Sequence, residues 1–152
     1  MMELQTVTAK RTRAQVMRDR VQVRLALDET GPQIAEVLKE NGIELPGADW
    51  SRVFPHWLIA WDGDSVIGCL QMMPAKPVSW CQFLYARRSV SFKLRAIAIR
   101  KLIMQGMATA YHGGAQVVAG SLGTDNPAFL AVLKKLNFLS IGTDHLVVKR
   151  LR

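Results

Sequence analysis

An α/β sandwich around a mixed sheet is the fold these 152 residues predict, with elements in the order β-α-β-β-β-α-β-α-β(β) behind a basic N-terminal arm. Three observations predict it. Trp57–Trp61 and Ser65–Met72 are apolar runs of strand length joined by Asp62-Gly63-Asp64, a tight-turn sequence, so they form a hairpin. Residues 89–112 repeat apolar side chains at three- and four-residue spacing between two further strand-like runs, so a helix crosses from one strand to the next. A later strand is followed by Asn126-Pro127, the pairing expected where a helix begins. At 49% hydrophobic and 21% charged residues the chain can build a core, which excludes a disordered tail or a low-complexity linker.

Taken in order, residues 1–20 show no clear period and carry much of the positive charge; they are expected to be an arm or a short polar helix outside the core, with residues 21–152 forming one domain. Val21, Val23, Leu25 and Leu27 alternate with polar or small residues, as a half-buried strand does. Thr30-Gly31-Pro32 opens a helix, Ile34, Val37 and Leu38 form its apolar stripe, and Asn41-Gly42 ends it. Residues 43–55, with Pro46, Gly47 and Pro55, form a loop into the hairpin. Pro74 and Pro77 bracket the connection to a fourth strand, Val78–Ala86. On the long helix Phe92, Ala96, Ile99, Ile103, Met107 and Ala110 make the inward stripe, and Gly113-Gly114 stops it. Gln116–Leu122 is the fifth strand, with Gly123-Thr124-Asp125 as its exit loop. A helix capped by Asn126 runs to Leu136, and residues 140–150 supply one or two last strands.

The net charge of +8 is unevenly placed. Lys10, Arg11, Arg13, Arg18, Arg20 and Arg24 crowd the start; Arg87, Arg88, Lys93, Arg95, Arg100 and Lys101 crowd the head of the long helix with no acid among them; the stretch between is acidic. Such clusters suit anionic partners, namely nucleic acid, a phosphorylated cofactor or an acidic protein face, or they only keep the surface soluble. Lys10, Arg11, Arg13, Arg87, Arg88, Lys93 and Arg95 are the candidates for anion or nucleic-acid contact.

Other chemistries find no support. Cys69 and Cys81 are too few for a disulfide scaffold or a zinc site and lie in apolar strands, as buried free thiols do. His56, His112 and His145 share no motif, so no metal is expected. Trp50, Trp57, Trp61 and Trp80 suit core or interface packing; Trp57 and Trp61 share one strand face and become contact anchors only if that face is open. No apolar run reaches the ~20 residues of a membrane span, and the first residues lack the apolar stretch of a signal peptide, so synthesis in the cytoplasm is expected.

The order of elements and the segment 113–138 resemble the GNAT superfamily, the acetyl-CoA-dependent N-acetyltransferases. A common pattern there is an Asn, a helical Tyr seven residues on, and Gly-Phe at eleven and twelve; here Asn126, Leu133 and Asn137-Phe138 take those places. The resemblance covers residues 21–150 and implies the GNAT fold. It implies a coenzyme site at Arg88, Ser91, Lys93, Asn126 and Tyr85 if acetyl-CoA binds, with main-chain groups of Gln82–Tyr85 along the pantetheine arm. The departures are as informative. The family holds the coenzyme diphosphate on a Gln/Arg-x-x-Gly-x-Gly/Ala turn, whereas no glycine stands between Gly68 and Gly106, and Arg88 to Lys93 is the nearest counterpart. Leu133 stands where the family often has a proton-donating Tyr, and residues 65–86 hold no carboxylate to act as base. No catalytic residue is assigned, and no cofactor is expected unless the enzyme reading holds.

The run Arg100-Lys101-Leu102-Ile103-Met104 and the helix from Asn126 to Phe138 are locally similar to a small internal virion protein of short-tailed bacteriophages that itself looks like a degenerate GNAT. That similarity implies a virion or assembly role, internal or near the portal, with other virion proteins and DNA as partners and the chain as part of an oligomer or larger complex. An active N-acetyltransferase and a nucleic-acid-binding accessory protein are the alternatives.

Overall fold

Gly63, at φ +60°, closes the tight turn between β2 (Trp57–Asp62) and β3 (Ser65–Met73), a left-handed backbone that glycine adopts without strain. The computed structural model describes residues 11–44, 56–121, 127–141 and 146–152. Around the hairpin stand β1 (Val21–Leu25), β4 (Val78–Ala86), β5 (Val117–Ser121), β6 (Leu139–Ile141) and β7 (Leu146–Arg150). They form one seven-stranded sheet in the order β1-β2-β3-β4-β5-β7-β6. Every pairing is antiparallel except β4 with β5, which are parallel. A parallel pair needs a crossover, and α3 (Phe92–His112) supplies it. Helix α1 (Arg13–Arg20) precedes β1, α2 (Gly31–Glu40) lies between β1 and β2, and α4 (Pro127–Lys135) follows β5.

The central strands are apolar on both faces because each face carries a helix. Leu58 and Ala60 of β2, with Ile67, Leu70 and Met72 of β3, pack under Ala98, Leu102, Ile103 and Ala110 of α3; Leu133 and Phe138 join the same cluster. On the other face Trp57, Ile59, Val66 and Cys69 meet Ile34, Val37 and Leu38 of α2. Trp57 and Trp61 do share a face, on the α2 side; Trp57 is buried in the core and Trp61 packs against it half-buried. Trp80 is different: 44% exposed, it stands opposite Met73 on a part of the sheet that α2 does not reach.

Three expectations need correction. The long helix begins at Phe92, not at residue 89, because the Ser91 hydroxyl caps it by accepting the Leu94 N–H at 3.3 Å. Phe92 is therefore a first-turn residue and is 72% exposed; the buried stripe is Ala98, Leu102, Ile103, Gly106 and Ala110. The first strand stops at Leu25 because the Thr30 hydroxyl takes the Leu27 N–H at 3.0 Å and turns the chain into α2, which leaves Leu25 and Leu27 exposed. Helix α1 is polar and buries no residue. Trp50, most of the loop 43–55, the exit loop 123–125, and the candidates Lys10 and Asn126 lie outside the described residues.

Candidate functional site

The parallel strands part company. β4 and β5 pair only from Val78↔Val117 to Cys81↔Gly120. At the last pair the approach is close: a Cβ on Gly120 would stand 2.8 Å from the Cys81 carbonyl oxygen. Just beyond, β4 bulges. Gln82 faces Gln71 and Tyr85 faces Cys69, so Phe83 and Leu84 together oppose the single Leu70 of β3. Phe83 sits at φ +52° to make the bulge. A bulge adds local twist and bends its strand, which turns the end of β4 away from β5. Unpaired with β5, the end of β4 forms one side of a cleft site at the carboxyl ends of the parallel pair, where open α/β sheets bind ligands; residues 122–126, which follow β5, lie outside the described residues.

Phe83 stacks on Trp57 at 5.9 Å between ring centres, and Tyr85 packs on the same α2-side cluster. Cys81 and Leu84 turn to the α3 side. Burial pushes both thiols up to about 12, and burial with the neighbouring Cys69 raises the Tyr85 phenol. Neither cysteine is a thiolate nucleophile near neutrality.

The loop from Arg87 to Ser91 joins the cleft to α3, and α2 holds it from below. Glu40, the last residue of α2, accepts the Ser89 N–H at 3.3 Å and the Ser89 hydroxyl at 3.2 Å. The Arg87 guanidinium pairs with Glu36 and lies 3.6 Å from Glu40. Asn41 donates its side-chain amide to the Ala86 and Val37 carbonyls at 3.0 and 2.8 Å. A diphosphate bound through the Ser89 N–H would have to displace the Glu40 carboxylate. Arg88, Ser91 and Lys93 are exposed at the head of α3. Arg95 is half-buried with its guanidinium 5.9 Å over the Phe92 ring, and its Nε has no hydrogen-bond partner among the described residues.

The structure thus brings Arg88, Ser91, Lys93 and Arg95 to one end of α3, while Arg87 is engaged by α2. Arg11 and Arg13 sit apart, ahead of β1, with Arg11 paired to Asp19 at 3.0 Å. Glu36, Glu40 and Asn41 were not among the sequence candidates. One signal was available for Glu40: an acid at a helix C-terminus opposes the helix dipole and asks for a compensating partner.

On α4, Leu133 is 4% exposed and fully part of the core, so no proton donor occupies that place. Asn137 instead keeps the shape of the Gly-Phe turn. It adopts φ +62°, and the Phe138 N–H returns to the Leu133 carbonyl at 3.0 Å, the six-to-one bond of a Schellman cap.

No protein-family model and no curated relative matches the sequence. Solved structures do match. An N-acetylglutamate synthase from Neisseria gonorrhoeae, complexed with coenzyme A and L-arginine, superimposes at TM-score 0.72 and 13% identity over 87% of this chain. This chain spans 33% of that one. A PaiA N-acetyltransferase from Thermoplasma acidophilum in complex with coenzyme A gives 0.69 and 14% over 86% of this chain and 99% of its own. A GNAT-family acetyltransferase from Staphylococcus aureus gives 0.72 and 8% over 87% and 99%. The chain has the GNAT N-acetyltransferase fold.

Proposed function

We propose that this chain uses the N-acetyltransferase scaffold as an assembly protein and does not turn over acetyl-CoA. The observation that carries the reading is the loop 87–91. Its Ser89 N–H and hydroxyl are taken by Glu40, and Arg87 is held by Glu36 and Glu40, so two of the loop's polar residues are engaged by α2. Anion cradles work by leaving main-chain N–H groups open at a helix start, and glycine lets phosphate come close. Here Ser91, Phe92 and Lys93 stand at the helix start in place of glycine, and a carboxylate already sits on the Ser89 N–H, which disfavours a coenzyme diphosphate on this loop. The buried Leu133 supports the same reading, since a leaving thiolate would find no proton donor there. The finer reading is a bacteriophage virion protein, internal or portal-proximal, which the similarity over Arg100–Met104 supports.

Calorimetry with acetyl-CoA tests the first part. No heat at millimolar ligand is the expected result, and micromolar binding overturns it. Mass spectrometry of purified particles tests the second, and a particle without this chain refutes it.

A second reading, an active N-acetyltransferase, is favoured by the bulged, parted end of β4. In that reading Arg88, Ser91 and Lys93 lie near the diphosphate, Asn126 near the pantetheine arm, and main-chain groups of Gln82–Tyr85 along it. Release of free coenzyme A thiol in the presence of amines is its signature.

A further inference from the structure

The sheet ends at β1, and among the described residues no strand pairs with its outer edge. The register fixes which groups that edge presents. Ala26 donates its N–H to the Trp57 carbonyl at 2.9 Å, so Gln22 and Arg24, which share its parity, face β2. Val21, Val23 and Leu25 then turn their main-chain N–H and C=O outward. Lys101 of α3 covers one of these groups, donating to the Val21 carbonyl at 2.6 Å and to the Arg18 carbonyl at 2.6 Å. Among the described residues, no group bonds the outward main chain of Val23 and Leu25.

Beside this edge runs a groove of about 650 Å³ between β1 and α3, lined by Val21, Val23, Arg24, Lys101, Met104 and Gln105, with Asp19 and Gln22 at its end. Its floor is apolar. Met104 is exposed there, and Leu25 is 55% exposed at the strand end. Arg24 is the free cation of its rim: among the described residues it bonds the Gln22 side chain, while Lys101 is held by the Arg18 and Val21 carbonyls and Asp19 is paired with Arg11.

We propose that the outer edge of β1 is a docking site for an extended, acidic segment of another protein, which adds to the sheet as an eighth strand. Open N–H and C=O groups on a twisted edge recognise another strand in just this way. An added strand would place alternate side chains over Val23 and Met104 and the intervening ones beside Arg24, so the segment that fits alternates apolar and acidic residues. Charge argues against a second copy of this chain, because a two-fold pairing would bring the same cations together. The site lies three strands from the β4–β5 cleft and stands or falls separately from any coenzyme binding there.

The test is a titration of the full-length, isotope-labelled protein with an acetylated and amidated Glu-Val repeat octapeptide, followed by amide NMR. Shifts confined to β1 and to residues 101–105, with slowed exchange at the Val23 and Leu25 amides, are expected. Arg24→Glu should weaken binding about fivefold, the scale of a partly exposed charge contact. Leu25→Pro removes an outward N–H without touching the β1–β2 ladder and should also weaken it. The proposal is overturned if the peptide leaves the Val23 and Leu25 amides unmoved at millimolar concentration. It is equally overturned if a Lys-Val octapeptide binds as well, or if random duplex DNA moves these amides while the peptide does not.

Discussion

Glu40 holds the loop over the cleft with one carboxylate, which gives the site its most testable residue. Charge-assisted hydrogen bonds usually contribute about 1.5–3 kcal/mol, and solvent reaches both Glu40 and Arg87 here, so E40A should cost about 1–2 kcal/mol in a urea melt. No loss would mean that the loop is held by other contacts. The thiols make a second case at this scale. In the fold both are pushed from an ordinary 9.0 up to about 12 by burial. The unfolded chain therefore releases those protons first, so the contribution of the neutral thiols is fully present below pH 9 and is lost as pH rises from 9 towards 12. Urea midpoints measured at pH 8, 9 and 10 should fall across the series, and C69A/C81A should flatten the fall. At pH 8 iodoacetamide should label neither thiol until urea unfolds the chain. Cys69 and Cys81 were legible as inert thiols because apolar strand neighbours imply burial. Glu40 was not legible, because its partner Ser89 stands far along the chain and no motif links them.

Elements differ in how openly the sequence declares them. The hairpin β2–β3 is written locally, in two apolar runs and a Gly turn, and β4 shows its full length in Val78–Ala86. The bulge at Phe83 is invisible beforehand: a large aromatic at φ +52° is set by register against β3 and by stacking on Trp57, both distant in sequence. Phe92 misled for the opposite reason. Its spacing matches the helical stripe, but the Ser91 cap places it in the first turn, where the helix has not yet reached the sheet. Helix α1 is short, buries nothing and keeps its place through ends alone. The Thr12 capping box closes one end, and Lys101 donates to the Arg18 and Val21 carbonyls at the other. Arg20 adds a two-pronged pair to Asp62 at 2.7 and 2.9 Å. An eight-residue polar helix has little stability of its own. Lys101→Met should therefore raise amide exchange over residues 13–20, with a shift in Tm of the whole fold below about 4 °C. A global loss of stability would show that α1 is integral to the core.

For the whole molecule, the question is how much of the +8 charge can act outward at one place. Sequence alone groups the cations by position, and the fold regroups them by what each already holds. Arg11, Arg20 and Arg87 are spent on Asp19, Asp62 and the α2 acids, and Lys101 on carbonyls. At the head of α3 this leaves Arg88, Lys93 and Arg95, with Arg100 exposed two turns further along, while Arg13, Arg18 and Arg24 stand at the β1 end of the sheet. DNA affinity falls with salt by about 0.9 log unit per log unit for each phosphate neutralised, so one end acting alone gives a slope of about −2.7. Titration of random duplex DNA between 50 and 200 mM salt, roughly the range where such slopes are read, should return a value near that. If the α3 end makes the contact, R88A/K93A should bring it close to −1, and an unchanged slope would place the contact at the β1 end; R87A should leave the slope alone and lower stability instead. A slope steeper than about −5 would require both ends to grip one duplex. The chain would then be a nucleic-acid-binding protein first, with the acidic-peptide edge a secondary use of the same charge.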